Sequence, residues 1–401
     1  MIQNIDYYID LEAEKNNQFI KRISNINSLL SQKYYEDNNN HTINVGSFGR
    51  KTATSGCSDY DVIFQMPDYV YTRINGNSSN GQSNLLQEIK NRLRETYSRT
   101  EIKGDGQVVD VLFSDGKIEI VPGFKNADGS FKFPDTHHEG SWKKKDPLSE
   151  IEEVNKFNRL TNGKYIKICK ITRKWKNKLG FPFKGILIDT LVYDFFKENM
   201  YYSKLPTCDL FKHFLMFLSK MDKERKRYNI MGSNQVVEFD NKCIYKASQF
   251  LSEIESGEDV LEIVLGIKEY KNRSQNEEFI WEEFPMDIRK KVSINCKVAR
   301  KGFRTVLLRH LLKQKNKIMI KSSLEFFIEE MDESIKNGSY NVYWKVKNRG
   351  SNSFGRERGE ITKGSNYKIE NSLFNGPHFV ECYIVKNEIV VAKDRIDVPI
   401  N

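Results

Sequence analysis

The apolar positions of this chain change period twice along its length. Over residues 5–33 they recur at helical spacing, with Phe19, Ile20, Ile23, Ile26 and Leu30 forming one stripe. That pattern predicts a long amphipathic helix, closed by Asp37-Asn38-Asn39-Asn40. Shorter runs follow. Thr42–Val45 reads as a strand leading into a Gly-Ser turn, and Gln65 to Asn84, rich in Gly, Ser and Asn, reads as a surface loop. Leu85–Tyr97 reads as a helix. Val108–Phe113 and Lys117–Val121 read as a hairpin around Ser114-Asp115-Gly116, and Phe131–Trp142 as a loop. From about Pro147 to Ile230 helical spacing dominates, most clearly in Lys164–Lys178 and Leu187–Asn199. Lys242–Ser256 and the 258–272 segment continue it, and Trp281-Glu282-Glu283-Phe284-Pro285 marks a domain end. From Ser322 the period drops to two. Ser323–Glu329, Asn341–Asn348, Gly359–Thr362, Phe379–Lys386 and Glu388–Ala392 read as strands, separated by Asn-Gly (337–338), Arg-Gly (349–350) and Asn-Gly (375–376) turns. Together they predict a small antiparallel sandwich of about 100 residues.

Composition narrows the class. The chain has 401 residues, 38% of them hydrophobic and 29% charged, which suits two or three packed domains. A net charge of +10 is compatible with an anionic partner, though a mild excess is often only a solubility feature. Six widely spaced cysteines with no CxxC pair argue against a zinc ribbon or a disulfide framework and for a reducing compartment, so a cytoplasmic location is expected. The first residues lack the layout of a signal peptide, and no apolar run approaches the roughly 18 residues of a membrane helix, so no membrane partner is expected.

The chemistry concentrates in two stretches. In Ser58-Asp59-Tyr60-Asp61-Val62-Ile63-Phe64, two carboxylates two residues apart on a strand project from one face. Both can reach one pair of divalent ions, Mg²⁺ or Mn²⁺, which suit an oxygen-rich site. Gly46-Ser47-Phe48, just upstream, offers backbone N–H groups and a hydroxyl to phosphates. Two-metal phosphoryl chemistry usually takes a third carboxylate from a neighbouring strand. Glu119 in Lys117-Ile118-Glu119-Ile120-Val121-Pro122 is the first choice, an acid among apolar strand residues. Asp110 in Val109-Asp110-Val111 is its competitor. Asp59 and Asp61 would hold the ion that bridges the triphosphate, and Asp61 and Glu119 the ion that activates an attacking ribose hydroxyl. Ser47 and the amides around Gly46 would hold the β- and γ-phosphates. The bland alternative is a turn with solvated acids, since a bare DxD is a weak signal.

Gly46-Ser47, Asp59-Tyr60-Asp61 and Ile118-Glu119-Ile120-Val121-Pro122 resemble the nucleotidyltransferase signature of the bacterial CD-NTases. These are second-messenger oligonucleotide synthases of the SMODS type, within the DNA polymerase β superfamily. Gly81-Gln82-Ser83, Gly104-Asp105-Gly106-Gln107-Val108-Val109, Ser141-Trp142 and Leu187-Ile188-Asp189-Thr190-Leu191 extend the resemblance over roughly residues 1–285. It implies an α/β (α+β) polymerase-β-like palm with a helical lobe. The expected domains are a catalytic core over 1–155, a helical lobe over 156–288 completing the cleft, and a sandwich over 289–401. On the helix Lys170-Ile171-Thr172-Arg173-Lys174-Trp175, the family's triphosphate cation falls on Arg173, with Lys170 one turn earlier as the alternative. Asp189 and Thr190 align loosely with a phosphate-contacting position, and Asp189 serves equally as a helix cap. Tyr340–Gly350, Arg358-Gly359-Glu360-Ile361 and His378–Tyr383 resemble the adenylyl/guanylyl and SMODS C-terminal sensor domain (AGS-C), for which a nucleotide-like ligand is proposed. Trp344, Tyr343, His378 and Arg358 are candidates for its pocket, against the plain reading of Trp344 as sandwich core.

The resemblance implies a template-independent enzyme that joins NTPs, ATP among them, into a cyclic or short linear oligonucleotide, with release of pyrophosphate. It further implies antiphage signalling of the CBASS kind, an effector reached through the product, and a nucleic-acid or phage-derived activator. The rivals are a templateless polymerase, a ligand sensor with a silent first domain, and a protein-modifying nucleotidyltransferase. His137-His138 lacks a third ligand and reads as loop, and Lys220–Arg227 reads as a solvated helix end.

Overall fold

The computed structural model describes residues 5–10, 13–54, 56–57, 59–76, 80–137, 140–233, 235–253, 260–267, 277–337 and 339–401. Ser58, His138, Gly338 and the parts of the expected 242–256 and 258–272 helices beyond these bounds lie outside the described residues. The chain divides into two compact units, Met1–Lys174 with Lys184–Leu261, and Trp175–Phe183 with Glu262–Asn401.

The first unit opens with α1 (Ile5–Ile9) and α2 (Ala13–Tyr34), where one continuous helix was expected. Phe19, Ile23, Ile26 and Leu30 are buried along α2, whereas Ile20 is exposed. Then come β1 (Thr42–Asn44), a one-turn helix α3 (Gly46–Gly49), β2 (Asp59–Gln65), α4 (Asp68–Asn75), α5 (Gly81–Thr96), β3 (Glu101–Asp105), β4 (Val108–Phe113) and β5 (Gly116–Lys125). The strands lie in the order β1-β2-β5-β4-β3, and only β2 and β5 pair in parallel. On one face Tyr60, Val62, Phe64, Val109, Val111, Ile118 and Ile120 pack against the apolar stripes of α2 and α5. Each such buried side chain contributes about 1.5–3 kcal/mol, and truncating Ile120 to alanine would cost about 2–5 kcal/mol. Because strand side chains alternate, the opposite face receives Asp59, Asp61, Asp110, Lys117 and Glu119.

Two expected loops are ordered elements. Residues 65–84 contain α4 and the first turn of α5. Val70 and Ile74 are buried, and Gly81 presses so closely on α4 that a Cβ would lie 2.5 Å from the Ile74 carbonyl oxygen. The 131–142 segment forms β6 (Phe131–Asp135) and starts β7 (Ser141–Lys145), with Phe131 and Phe133 buried on one side of β6. Pro134 and Gly140 disguised the alternation. The helices α6 (Pro147–Leu160), α7 (Lys164–Leu179), α8 (Gly185–Glu198) and α9 (Thr207–Ser219) follow, then a ribbon of β8 (Arg227–Asn229) and β9 (Val236–Glu238), and α10 (Lys242–Glu253).

The second unit is a pair of antiparallel four-stranded sheets. One is ordered β11 (Val306–Leu307), β10 (Val292–Ala299), β12 (Ser323–Met331), β15 (Tyr367–Asn371). The other is ordered β14 (Arg358–Gly364), β13 (Asn341–Lys347), β16 (Gly376–Lys386), β17 (Ile389–Ile400). Strand structure thus begins thirty residues before Ser322, at Val292. Trp344, fully buried, packs between the sheets with Ile294, Phe326, Val380, Cys382 and Ile396.

Candidate active site

The register of the first unit's sheet assembles a row of acids. Asp61 stands opposite Glu119 across the parallel β2/β5 pair, and Glu119 stands opposite Asp110 across β5/β4. Lys103 continues the row on β3. Asp59 and Lys117 face each other in the adjacent row. The choice between Glu119 and Asp110 therefore has a geometric reason to be close, since both carboxylates occupy the same face.

Lys117 is the residue that sequence reasoning passed over. Its ammonium ion-pairs with Glu119 and lies 4.0 Å from Asp110 Oδ1. Burial would depress its pKa, but Asp59, Glu119 and Asp110 outweigh that and hold it well above the ordinary lysine value. Asp110 moves the other way for a carboxyl. Burial pushes it up to about 6, opposed by the attraction of Lys117 and Lys103 and assisted by repulsion from Glu119 and Asp59. A signal for Lys117 existed: it is the second charged residue on an otherwise apolar strand, two positions before Glu119 and therefore on the same face.

The Gly46-Ser47 segment is fastened to this row. Gly46 has φ +62°, and a Cβ there would lie 1.7 Å from Asp61 Oδ2, so only glycine fits. The Val45 amide donates to the Asp61 carbonyl at 2.9 Å. Ser47 is half-buried, and its carbonyl accepts from the amides of Thr52 and Ala53 at 2.9 and 3.0 Å.

The remaining candidates sit in a buried ion-pair cluster. Arg173 Nη1 lies 2.7 Å from Asp189 Oδ1, and Nη2 donates to Asp189 Oδ2 and to the Gly185 carbonyl, both at 3.0 Å. Arg50 Nε and Thr52 Oγ1 reach the same Oδ2 at 2.9 and 3.0 Å, and Arg50 Nη1 reaches Glu150 at 3.0 Å. Burial alone would raise the Asp189 pKa, but Arg173 and Arg50 hold it below the usual carboxylate value. The Thr190 hydroxyl, also buried, accepts from the Met231 amide at 3.4 Å. Lys170 is more open and pairs with Asp10 at 2.6 Å. Arg50 and Glu150 carried no signal in the sequence, because their role depends on helices that meet only in the fold.

Comparison with known proteins identifies the domains. Residues 4–158 match the model of the Second Messenger Oligonucleotide or Dinucleotide Synthetase (SMODS) domain, and residues 274–401 match the Adenylyl/Guanylyl and SMODS C-terminal sensor (AGS-C) domain. The chain thus carries a SMODS domain followed by an AGS-C domain. It is a nucleotidyltransferase of the kind that makes oligonucleotide second messengers. No curated protein matches it. Among solved structures, the chain is similar to CdnC with ATP from E. coli MS115-1, at 15% identity, TM-score 0.48, over 66% of this chain and 97% of that one. It is similar to the Elizabethkingia meningoseptica CdnE cyclic dinucleotide synthase with GTP and Apcpp, at 13% identity, TM-score 0.48, over 63% and 98%. It is also similar to the 3'-deoxy GTP bound form of Escherichia coli DncV, at 9% identity, TM-score 0.48, over 66% and 96%.

The donor set suits a divalent cation. Asp59, Asp61 and Glu119 supply hard oxygen atoms on one face. Among the described residues, no group of three or more His, Cys, Asp or Glu side chains is placed to hold a metal ion as it stands. The Lys117 ammonium lies among the carboxylates in that arrangement, and an incoming ion would have to draw Glu119 away from it.

Proposed function

We propose that this protein is a CD-NTase that condenses NTPs, ATP among them, into a cyclic or short linear oligonucleotide with release of pyrophosphate. The observation that carries the reading is the row Asp61–Glu119–Asp110 with Gly46 pressed against its end. Asp59, Asp61 and Glu119 would hold two Mg²⁺ or Mn²⁺ ions. Such ions, when bound, neutralise the triphosphate and lower the pKa of the attacking hydroxyl. The chain's own contribution is placement. Gly46 lets the backbone approach Asp61 closely, so amides around Gly46 and the Ser47 hydroxyl meet the β- and γ-phosphates beside the carboxylates. Lys117 keeps the acids from repelling one another until nucleotide arrives. Lys170 is the accessible cation for a triphosphate. Arg173, Asp189 and Thr190 act one step back: the Arg50–Asp189–Arg173 cluster ties α3 to α7 and α8, and Arg173 reaches phosphate only by leaving Asp189.

In this reading the product carries an antiphage signal of the CBASS kind to a separate effector in the bacterial cytoplasm, under control of a nucleic-acid or phage-derived activator. Among the described residues no helix is long and apolar enough to cross a membrane. The test is incubation of the purified protein with radiolabelled NTPs, singly and mixed, with Mg²⁺ or Mn²⁺. A phosphatase-resistant product absent from the Asp59→Ala/Asp61→Ala protein is the expected result. A ladder of long linear products, or label transferred to protein, would overturn it.

A further inference from the structure

We propose that the sandwich of the second unit holds a small organic acid, its apolar body between the two sheets and its acid group on Arg358. The site is a cavity of about 240 Å³. Leu324 and Phe326 of one sheet face Val346, Val380 and Val398 of the other across it. It is therefore a cleft between the sheets, apolar at its base and open to solvent at the end where Arg356, Arg358 and Leu373 are exposed. An apolar cavity of roughly 150 Å³ is known to take benzene, so this one takes a body of roughly two fused rings. The cavity is too small for a whole nucleotide, which needs the several hundred Å³ of an ordinary cofactor pocket.

Its mouth carries the polar groups. Glu370 is the register partner of Leu324, so it points inward from the edge strand β15. Arg358 begins the edge strand β14 of the other sheet. The two meet in a bidentate pair, Nη1 to Oε2 at 2.7 Å and Nη2 to Oε1 at 3.1 Å, closing the gap between the sheets. Arg358 has φ +53°, a backbone conformation that L residues adopt reluctantly, where the β13/β14 register shifts. A ligand carboxylate, sulfonate or phosphate would replace Glu370 in the same fork geometry. His378, whose Nδ1 accepts from the Arg349 amide and whose Nε2 lies 3.1 Å from the Phe374 carbonyl, is a neutral wall. The expected four-residue pocket does not form. Trp344 and Tyr343 are successive residues of β13 and face opposite ways, and Trp344 Nε1 is taken by the Ser365 carbonyl at 2.9 Å. Only His378 and Arg358 of that set line the cavity.

The probe is 2-naphthoate, titrated calorimetrically into the full chain, with 2-naphthalenemethanol as its neutral counterpart and AMP as a nucleotide. Saturable one-to-one binding of the naphthoate is expected, at least tenfold tighter than the alcohol. Glu370→Gln, which frees Arg358, should tighten the acid several-fold. Arg358→Gln should weaken it about tenfold and leave the alcohol unchanged. Val398→Phe, which fills the cavity, should abolish both without lowering the melting temperature. Absence of saturable binding up to millimolar naphthoate overturns the proposal. So does tighter binding of AMP lost in Val398→Phe, or naphthoate binding that none of the variants changes. Should Val398→Phe fail to fold, the opposite responses of the Glu370 and Arg358 variants decide alone.

Discussion

Asp110, half-buried, and Asp189, fully buried, are carboxyls of the same unit, and their surroundings push them in opposite directions. Asp110 shares one face of the sheet with Asp59 and Glu119, and its pKa rises to about 6 by burial and like-charge repulsion despite Lys117. Asp189, more deeply buried, is bracketed by Arg173 and Arg50 and is held below the normal value. A cluster whose charges are matched from within is complete as it stands. A cluster dominated by carboxylates holds a repulsion that a polycationic ligand relieves. We read the second pattern as a site and the first as a brace.

Asp61→Asn separates the two most sharply. Nucleotide turnover should fall about a thousandfold, by loss of a charge needed only at the reacting centre. Its melting temperature should stay level or rise, because the change relieves repulsion; a marked fall would place Asp61 among the braces. Asp189→Asn should do the reverse. Stranding Arg173 and Arg50 in the interior should cost about 3–5 kcal/mol in denaturant unfolding. Full stability with selective loss of NTP affinity would instead return Arg173 and Asp189 to direct phosphate contact.

The contrast extends to Glu381 in the second unit. Burial would raise its pKa, but Lys393, Lys345, Arg395 and a hydrogen bond from Tyr383 hold it near about 2. A depressed carboxyl stabilises the fold above its unfolded pKa and loses that contribution as pH falls through the folded value. Glu381→Gln should thus trail the unaltered protein by about 3 kcal/mol at pH 7, with the gap closing between pH 4.5 and 2. A gap independent of pH would remove Glu381 from the matched class. The smallest effect belongs to Lys117→Met. With its resident cation gone, the acid row should bind Mn²⁺ up to about tenfold tighter, read by the loss of free-ion EPR signal. Weaker binding would mean that Lys117 orders the carboxylates for the ion instead of competing with it.

The elements that sequence reading captured were those whose pattern is local. The alternation through Asp59–Phe64, the Ser114-Asp115-Gly116 turn and the helical spacing of α7 and α8 each declare themselves within a few residues. Elements interrupted by Gly, Pro or Asn did not, and α4, the start of α5, β6 and β7 were taken for loops. Within the site, the acids were legible because a charge on an apolar strand asks for an explanation. Arg50 and Glu150 were not, because an arginine after a glycine means nothing until three helices converge on it. Arg173 was read as a cation on α7, and its pairing with Asp189 was set by packing.

The parallel pairing of β2 with β5 also has a consequence for how the molecule comes into being. A hairpin can close as soon as its two strands exist, but here the row of acids spans strands separated by everything from Gln65 to Gly116. Asp59 and Asp61 leave the ribosome long before Glu119 and Lys117, and they meet their neighbours only after α4, α5, β3 and β4 have been made. Such non-local closure is slow and is completed late. Asp61 thus meets Glu119, and Asp59 meets Lys117, only when β5 pairs with β2.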